Sequence, residues 1–131
     1  MTVINRSGAG GIRILLADDH HQVREQLAAR LQRENGFDLV GVAANSRLTL
    51  QLALDARPRV LLIDPMMRDG MGLATLRRLV AELPDLAVVV LTAVIDTSLD
   101  MKLQELGVHH KQVKGVATAD LISELRLAAN G

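Results

Sequence analysis

Three aspartates, a threonine and a lysine stand at the ends of short apolar runs: Asp18, Asp19, Asp64, Thr92 and Lys114. Carboxylates that lie close together repel one another, and a hard divalent cation such as Mg2+ relieves that repulsion while accepting oxygen ligands. A carboxylate that is left free can attack phosphorus to give an acyl phosphate, while the metal, an ammonium group and a hydroxyl share the phosphoryl charge. If the five residues meet in space, they predict phosphoryl transfer to an aspartate.

The elements that must position these residues are short apolar runs that alternate with stretches of helical spacing. The runs lie about 20 to 25 residues apart, which leaves room for a crossover helix and two loops between parallel strands. Residues 88–91 are apolar at successive positions, so helices should cover both faces of the sheet. The predicted strands are Ile12 to Ala17, Leu39 to Ala43, Val60 to Ile63, Ala87 to Leu91 and His109 to Val113.

Five helices are predicted between and after these strands. Ser46, Ser98 and Thr118 are candidate N-caps of the second, fourth and fifth helices, and Gly107 is expected to end the fourth in a left-handed conformation. Because crossovers between parallel strands are almost always right-handed, the predicted fold is α/β, a three-layer doubly wound (βα)5 flavodoxin-like sandwich. With strand order 2-1-3-4-5, the first and third strands adjoin at the switch point, and the three aspartates converge there.

Length and composition exclude several classes of protein. The chain has 131 residues, which suits one domain at 12–131 after a flexible tail at 1–11. Lys plus Arg and Asp plus Glu number 15 each, so no global charge favours nucleic acid or an anionic membrane. The absence of Cys excludes disulfide and thiolate chemistry and agrees with a cytoplasmic location. No apolar stretch is long enough for a membrane helix.

Several motifs in order along the chain resemble one family. They are Ile-Leu-Leu-Ala-Asp-Asp-His at 14–20, Leu-Leu-Ile-Asp-Pro-Met-Met at 61–67, Gly72 eight residues after Asp64, Val-Leu-Thr-Ala at 90–93, and Lys114 before the last helix. The set resembles the receiver domain of bacterial two-component response regulators over nearly the whole chain. The ending Leu-Arg-Leu-Ala-Ala-Asn-Gly looks like the end of a receiver in LuxR-like transcription regulators.

The resemblance implies a function for each site residue. Asp64 would accept phosphate from a sensor histidine kinase, with Mg2+ as cofactor. Asp19 would hold Mg2+ directly, Asp18 would help through water, and the Met66 carbonyl would complete the protein ligands. Thr92 and Lys114 would contact the phosphate, and Ala93 would leave room for it. The output would be transcription through a DNA-binding domain outside this chain, so the domain itself is not expected to bind nucleic acid or membrane.

Three departures from the family pattern affect these expectations. Arg68 stands four residues after Asp64, where the family usually has Pro, and the nearby Pro65 instead follows Asp64 directly. Lys111 replaces the aromatic residue that often stands three residues before the Lys, and the approach to it reads Gly-Val-His-His at 107–110. A charged ammonium is costly to bury unpaired, so Lys111 is expected to stay outside with only its stem packed. We therefore expect weak coupling between phosphorylation of Asp64 and the face formed by the fourth helix, the fifth strand and the fifth helix.

Two other functions remain open. The altered positions favour a receiver-shaped interaction module that works without phosphorylation. Under either function, a homodimer is a candidate assembly. A true aspartyl-phosphate enzyme ranks last, because such an enzyme needs a second Asp two residues after the nucleophile, where this chain has Met66. The pairs His20-His21 and His109-His110 are not predicted to chelate a metal alone, because adjacent side chains diverge on a helix or strand.

Overall fold

The computed structural model describes residues 11–131, in which five strands alternate with five helices. All four strand pairings are parallel, and the order across the sheet is β2-β1-β3-β4-β5. The predicted flavodoxin-like architecture and strand order are therefore confirmed. Apart from Gly11, the predicted tail lies outside the described residues. The elements are β1 (Ile12–Ala17), α1 (His21–Arg33), β2 (Phe37–Ala43), α2 (Ser46–Ala56), β3 (Val60–Ile63), α3 (Gly72–Glu82), β4 (Ala87–Thr92), α4 (Thr97–Glu105), β5 (His110–Val113) and α5 (Thr118–Asn130).

The hydrophobic core lies on both faces of the sheet, as the continuous apolar runs predicted. Because successive side chains of a strand point to opposite faces, Leu15 packs in one cluster and Leu16 in the other. The first cluster joins the sheet to α2, α3 and α4, and the second joins it to α1 and α5. The sheet is therefore covered on both sides, and its strand ends are the places where polar groups can gather.

The strands differ slightly from the predicted bounds. β2 begins at Phe37 rather than Leu39, because Phe37 and Asp38 pair with Ile12 and Arg13 at the start of β1. β4 extends to Thr92, which pairs with Val113 at the end of β5, and β5 begins at His110 rather than His109.

The predicted N-caps are wrong by one or two residues, for a common reason. Asn45 caps α2 by accepting the backbone N–H of Leu48, and Ser46 is the first helical residue. Asp96, not Ser98, caps α4 through the N–H of Leu99. In both cases an Asn or Asp just upstream supplies the acceptor instead of the predicted Ser, as the similar cap preferences of Asn, Asp and Ser allow.

The start of α5 differs from the prediction, whereas the end of α4 agrees with it. α5 starts after Ala117, whose side chain offers no acceptor, so Thr118 is not its cap. Gly107 does follow α4 with φ +77°, as predicted.

Among the described residues, none of the helices combines the length and apolar character needed to cross a bilayer.

Candidate functional site

The sheet register brings two of the predicted aspartates side by side. Ala17 at the end of β1 pairs with Ile63 at the end of β3, so Asp18 and Asp64 are each one residue beyond a paired position. The backbone bonding continues past these ends, because the N–H of Asp64 donates to the Ala17 carbonyl at 3.0 Å. The carbonyl of Thr92 likewise accepts the N–H of Lys114 at 2.8 Å, beyond β4 and β5. Short backbone contacts thus fix the site.

Lys114 connects the two buried carboxylates. Its Nζ lies 2.9 Å from Asp18 Oδ2 and 2.8 Å from Asp64 Oδ2. Both aspartate side chains are 2% exposed and the Lys114 side chain is 15% exposed. Burial of charged groups is expensive unless they are paired, and this one ammonium partners both anions. Residues from the ends of β1, β3 and β5 are therefore in direct contact, as the predicted strand order requires.

Two opposing effects act on the pKa of Lys114. Partial burial lowers the pKa, because it disfavours the charged ammonium. The hydrogen bonds to Asp64 and Asp18, together with their charges, raise it and prevail, so the pKa of Lys114 is above its ordinary value. Lys114 is therefore a permanent cation at neutral pH, which suits it to bind an anionic group near Asp64.

Asp19 is oriented by Arg68. Asp19 Oδ2 accepts the backbone N–H of Arg68 at 2.8 Å and its Nε at 3.2 Å. Burial alone would raise the pKa of Asp19, but the backbone and side-chain hydrogen bonds and the charge of Arg68 lower it below the ordinary value. The residue that departs from the family pattern is thus a direct partner of a predicted metal ligand.

The other oxygen of Asp19 has no such partner. Among residues 11–131, Asp19 Oδ1 is buried and accepts no hydrogen bond, although His20 Nδ1 lies 3.3 Å away. A buried carboxylate oxygen without a donor is costly, and a cation is one way to satisfy it. Together with the Asp18 and Asp64 carboxylates, this oxygen forms the hard donor set that Mg2+ prefers. The residues present therefore fit a hard divalent cation.

The imidazole nitrogen of His20 lies beside the same carboxylates. Its Nδ1 is 3.0 Å from Asp18 Oδ1 and 2.8 Å from Lys114 Nζ, while the imidazole is about half exposed. Its backbone N–H also donates to Asp18 Oδ1 at 2.8 Å. The neighbouring His21 lies elsewhere, with its Nε2 3.9 Å from Glu25.

The β3–α3 loop, residues 64–71, holds Asp64 and closes the site on one side. Asp64 Oδ1 accepts the N–H of Met66 at 2.9 Å. A Cβ placed on Gly72 would lie 1.9 Å from the Pro65 carbonyl oxygen, so only Gly allows the start of α3 to approach the loop this closely. Met67 is buried in the core and Met66 is exposed.

Thr92 and Ala93 follow β4 beside this loop. Thr92 is buried and Ala93 is exposed. The structure thus brings Lys114 into contact with Asp18 and Asp64, and it places an Asp19 oxygen 3.3 Å from His20 Nδ1. Thr92 ends β4, the strand between β3 and β5.

Asp69 is a site-forming residue that the sequence analysis missed. Its carboxylate accepts the Ser46 N–H at 2.7 Å, the Ser46 hydroxyl at 2.8 Å and the Met71 N–H at 2.9 Å. Burial would raise the pKa of Asp69, but these hydrogen bonds lower it below the ordinary value. Asp69 therefore ties the loop to the start of α2, and no local pattern in the sequence signals a partner 23 residues away.

Lys111 lies on the face formed by α4, β5 and α5. Its side chain is only 21% exposed, and its Nζ forms an ion pair with Asp100 of α4. The expectation that the ammonium stays outside is thus corrected: it is largely covered, because a carboxylate pairs with it. On the same strand, His110 and Gln112 both contact Glu124 of α5, and these contacts lower the pKa of Glu124 despite its partial burial.

Comparison with known proteins agrees with the fold. The family model for the response regulator receiver domain matches residues 14–126. The chain therefore belongs to the response regulator receiver domain family.

The similar curated proteins are response regulators. The chain is 32% identical over 120 residues to the transcriptional regulatory protein LiaR of Bacillus subtilis, covering 92% of this chain and 57% of LiaR. It is 31% identical to the response regulator GacA of Pseudomonas viridiflava, covering 92% of this chain and 56% of GacA. The chain thus spans little more than half the length of these relatives.

Solved structures share the architecture. A LuxR-family two-component response regulator from Aurantimonas sp. SI85-9A1 superposes with a TM-score of 0.84 at 22% identity, covering 92% of this chain and 86% of that one. The receiver domain of the putative response regulator NarL from Mycobacterium tuberculosis gives a TM-score of 0.85 at 20% identity, covering 92% and 98%. The chain therefore shares the fold of these receiver domains.

Proposed function

We propose that this chain is a phosphoacceptor receiver domain that takes a phosphoryl group from a sensor histidine kinase onto Asp64. The observation that carries the proposal is the contact of one ammonium, Lys114 Nζ, with both Asp18 and Asp64 at a buried strand edge. A structural role for Asp64 alone would not need a second acidic side chain and a cation at the same place. The family membership and the hard donor set around Asp19 Oδ1 support the same function.

The proposed reaction moves one phosphoryl group. A carboxylate oxygen of Asp64 attacks phosphorus, a new O–P bond forms, and the P–N bond to the kinase histidine breaks, leaving the electron pair on the imidazole nitrogen. Mg2+ would supply charge neutralisation to the phosphoryl oxygens when bound. Asp19 would hold it directly, Asp18 and Asp64 would contribute through water or directly, and the Met66 carbonyl would be a further ligand.

The chain's own residues perform the remaining tasks. The Met66 N–H holds one oxygen of Asp64, which orients the carboxylate. Lys114, already a cation next to Asp64, would pair with the phosphoryl oxygens, and the Thr92 hydroxyl would donate a hydrogen bond to them. Exposed Ala93 would leave space at the rim. The domain would act as a switch, not as an enzyme that turns over a substrate.

The output of the whole protein is also a proposal. Relatives such as LiaR carry the name of a transcriptional regulatory protein, and this chain spans about half their length. We therefore infer that phosphorylation of Asp64 controls transcription in the cytoplasm through a DNA-binding region outside residues 1–131. The domain itself has balanced charge, 15 basic and 15 acidic residues, and is not proposed to bind nucleic acid or membrane.

A second candidate is an interaction module that works without phosphorylation. The ion pair between Arg68 and Asp19 favours it, because a guanidinium competes with a metal for the same carboxylate. The two candidates differ in one measurable property, which is whether Asp64 becomes phosphorylated.

The experiment is intact mass spectrometry after incubation with Mg2+ and a small phosphodonor such as acetyl phosphate. We expect a mass increase of about 80 Da, the addition of one phosphoryl group, that Asp64→Asn abolishes. Asp55→Asn, on the exposed side of α2, is the matched control and should keep the increase. No increase in the parent, or an increase that persists in Asp64→Asn, would favour the interaction module or another acceptor.

A further inference from the structure

The proposed metal site contains one group that a carboxylate-only description leaves out, the imidazole of His20. His20 Nδ1 lies 3.0 Å from Asp18 Oδ1, 3.3 Å from Asp19 Oδ1 and 3.9 Å from Asp64 Oδ2. The imidazole therefore faces the same pocket as all three carboxylates. The orphaned oxygen, Asp19 Oδ1, is one of the atoms that it faces.

These separations match the spacing of ligands around one ion. Octahedral coordination at about 2.1 Å places neighbouring ligand atoms about 3.0 Å apart. The separations of Nδ1 from Asp18 Oδ1 and Asp19 Oδ1 are close to that value. One ligand atom from each of Asp18, Asp19 and His20 lies within 4.8 Å of the others. The three residues thus offer ligand atoms close enough to one another to share one ion.

Lys114 explains why a cation suits this arrangement better than a hydrogen bond does. Lys114 Nζ is 2.8 Å from His20 Nδ1, and an ammonium only donates, so this contact uses the lone pair of Nδ1. The same lone pair would repel Asp18 Oδ1 at 3.0 Å. A cation between the imidazole and the carboxylates attracts every one of these lone pairs, while Lys114 keeps its contacts with Asp18 Oδ2 and Asp64 Oδ2.

We propose that His20 Nδ1 is a protein ligand of the divalent cation at this site and shifts its preference toward Mn2+ and related transition ions over Mg2+. The inference rests on the proposed function, because it uses the same cation site. Imidazole is a good ligand for first-row transition ions, whereas Mg2+ favours carboxylate, carbonyl and water oxygens. The identity of one residue, placed directly after the two aspartates, then sets the metal selectivity.

Electron spin-echo envelope modulation of the Mn2+-loaded chain tests the ligation directly. We expect modulation from a directly bound imidazole 14N in the parent, replaced by a 15N pattern after selective labelling of histidine. His20→Ala should lose it and still bind Mn2+ through the carboxylates. His21→Ala is the matched control, since His21 is the adjacent exposed histidine, and it should keep the parent spectrum.

Calorimetric titration with Mn2+ and Mg2+ tests the selectivity. His20→Ala should weaken Mn2+ binding by about tenfold or more, since even the loss of a residue that only supports a metal ligand typically costs that much. It should weaken Mg2+ binding less. His21→Ala should change neither affinity. His20 is about half exposed, so its replacement should not unfold the domain, and circular dichroism checks this.

The outcomes separate this inference from the proposed function. Mn2+ bound without imidazole modulation, or equal losses of Mn2+ and Mg2+ affinity in His20→Ala, would overturn the role of His20 and leave the carboxylate site intact. If the parent binds neither Mn2+ nor Mg2+, both the inference and the magnesium-dependent function are overturned.

Discussion

Lys111 of β5 is held by Asp100 of α4 in an ion pair, where the family often places an aromatic side chain. The pair joins two elements of the face expected to signal the state of Asp64. A charged side chain with a partner on α4 cannot turn into the space beside Thr92 without leaving that partner. The ion pair with Asp100 therefore holds Lys111 in one position.

We predict weak coupling between phosphorylation and self-association through this face. Sedimentation velocity of the parent should change little when beryllofluoride, a stable phosphoryl mimic, is added with Mg2+. Lys111→Tyr removes the ion pair and restores an aromatic side chain, so it should show a larger mimic-dependent shift toward dimer.

Lys102→Tyr supplies the control, because Lys102 is an exposed residue on α4. It adds the same ring without removing the pair between Lys111 and Asp100. A large mimic-dependent change in the parent, unaltered by Lys111→Tyr, would show that another residue transmits the signal.

Magnesium should raise the thermal stability of the domain, because the ion binds only where folding brings the carboxylates together. At one hundred times the dissociation constant the expected gain is about 2.7 kcal/mol. Asp19→Asn should remove most of the gain and Asp18→Asn less of it, whereas Asp55→Asn should keep it. Melting is followed by circular dichroism, since the chain has no Trp or Tyr. An unchanged melting temperature over a millimolar titration would contradict the metal site.

In chelator, Asp64→Asn should melt at a higher temperature than the parent, whereas Asp19→Asn should not. Three carboxylates share the pocket, and removing the Asp64 charge relieves repulsion that no metal offsets. Lys114 keeps Asp18 as a partner in Asp64→Asn, so no buried ammonium is left alone. Asp19 pairs with Arg68, which lowers the pKa of Asp19, so removal of the Asp19 charge costs stability. Thermal melts in excess EDTA measure both shifts in melting temperature. If Asp64→Asn melts lower than the parent, the Asp64 carboxylate serves the fold as a hydrogen-bond acceptor, and the site loses this support.

Asp69→Asn should lower stability at neutral pH by up to about 1 kcal/mol, because it weakens the contacts of the exposed Asp69 carboxylate with Ser46 at the start of α2. The pKa of Asp69 is lowered by folding, so the stabilising effect of its charge is complete above its ordinary value of 3.8. The effect disappears as the pH falls through the lower pKa of the folded state.

Urea unfolding of both proteins at several pH values tests this prediction. The difference in free energy of unfolding between parent and Asp69→Asn should narrow between about pH 4 and pH 2. Asp55→Asn should show no such narrowing. A difference that stays constant over this interval would mean that the Asp69 charge does not stabilise the start of α2.

The fold and most of the site were predictable because local signals determine them. Apolar runs predict the strands, and the residue after a run lies at the strand end. The positions of Asp18, Asp64 and Lys114 at the ends of β1, β3 and β5 could therefore be predicted. The partners of Arg68, Lys111 and Asp69 were not, because each contact crosses between elements distant in sequence and depends on side-chain reach. The caps failed for a smaller reason, since neighbouring Asn, Asp and Ser compete for the same role.

The close approach of Gly72 to the Pro65 carbonyl has a consequence for how the loop can vary in evolution. Met66 and Arg68 lie on the exposed side of residues 64–71, so many side chains fit there. Gly72 admits no larger side chain, and the loop cannot change length without moving that contact away from Asp64. In a library that randomises residues 65–72, selection for folding should leave the outward positions diverse and reduce position 72 to a single amino acid.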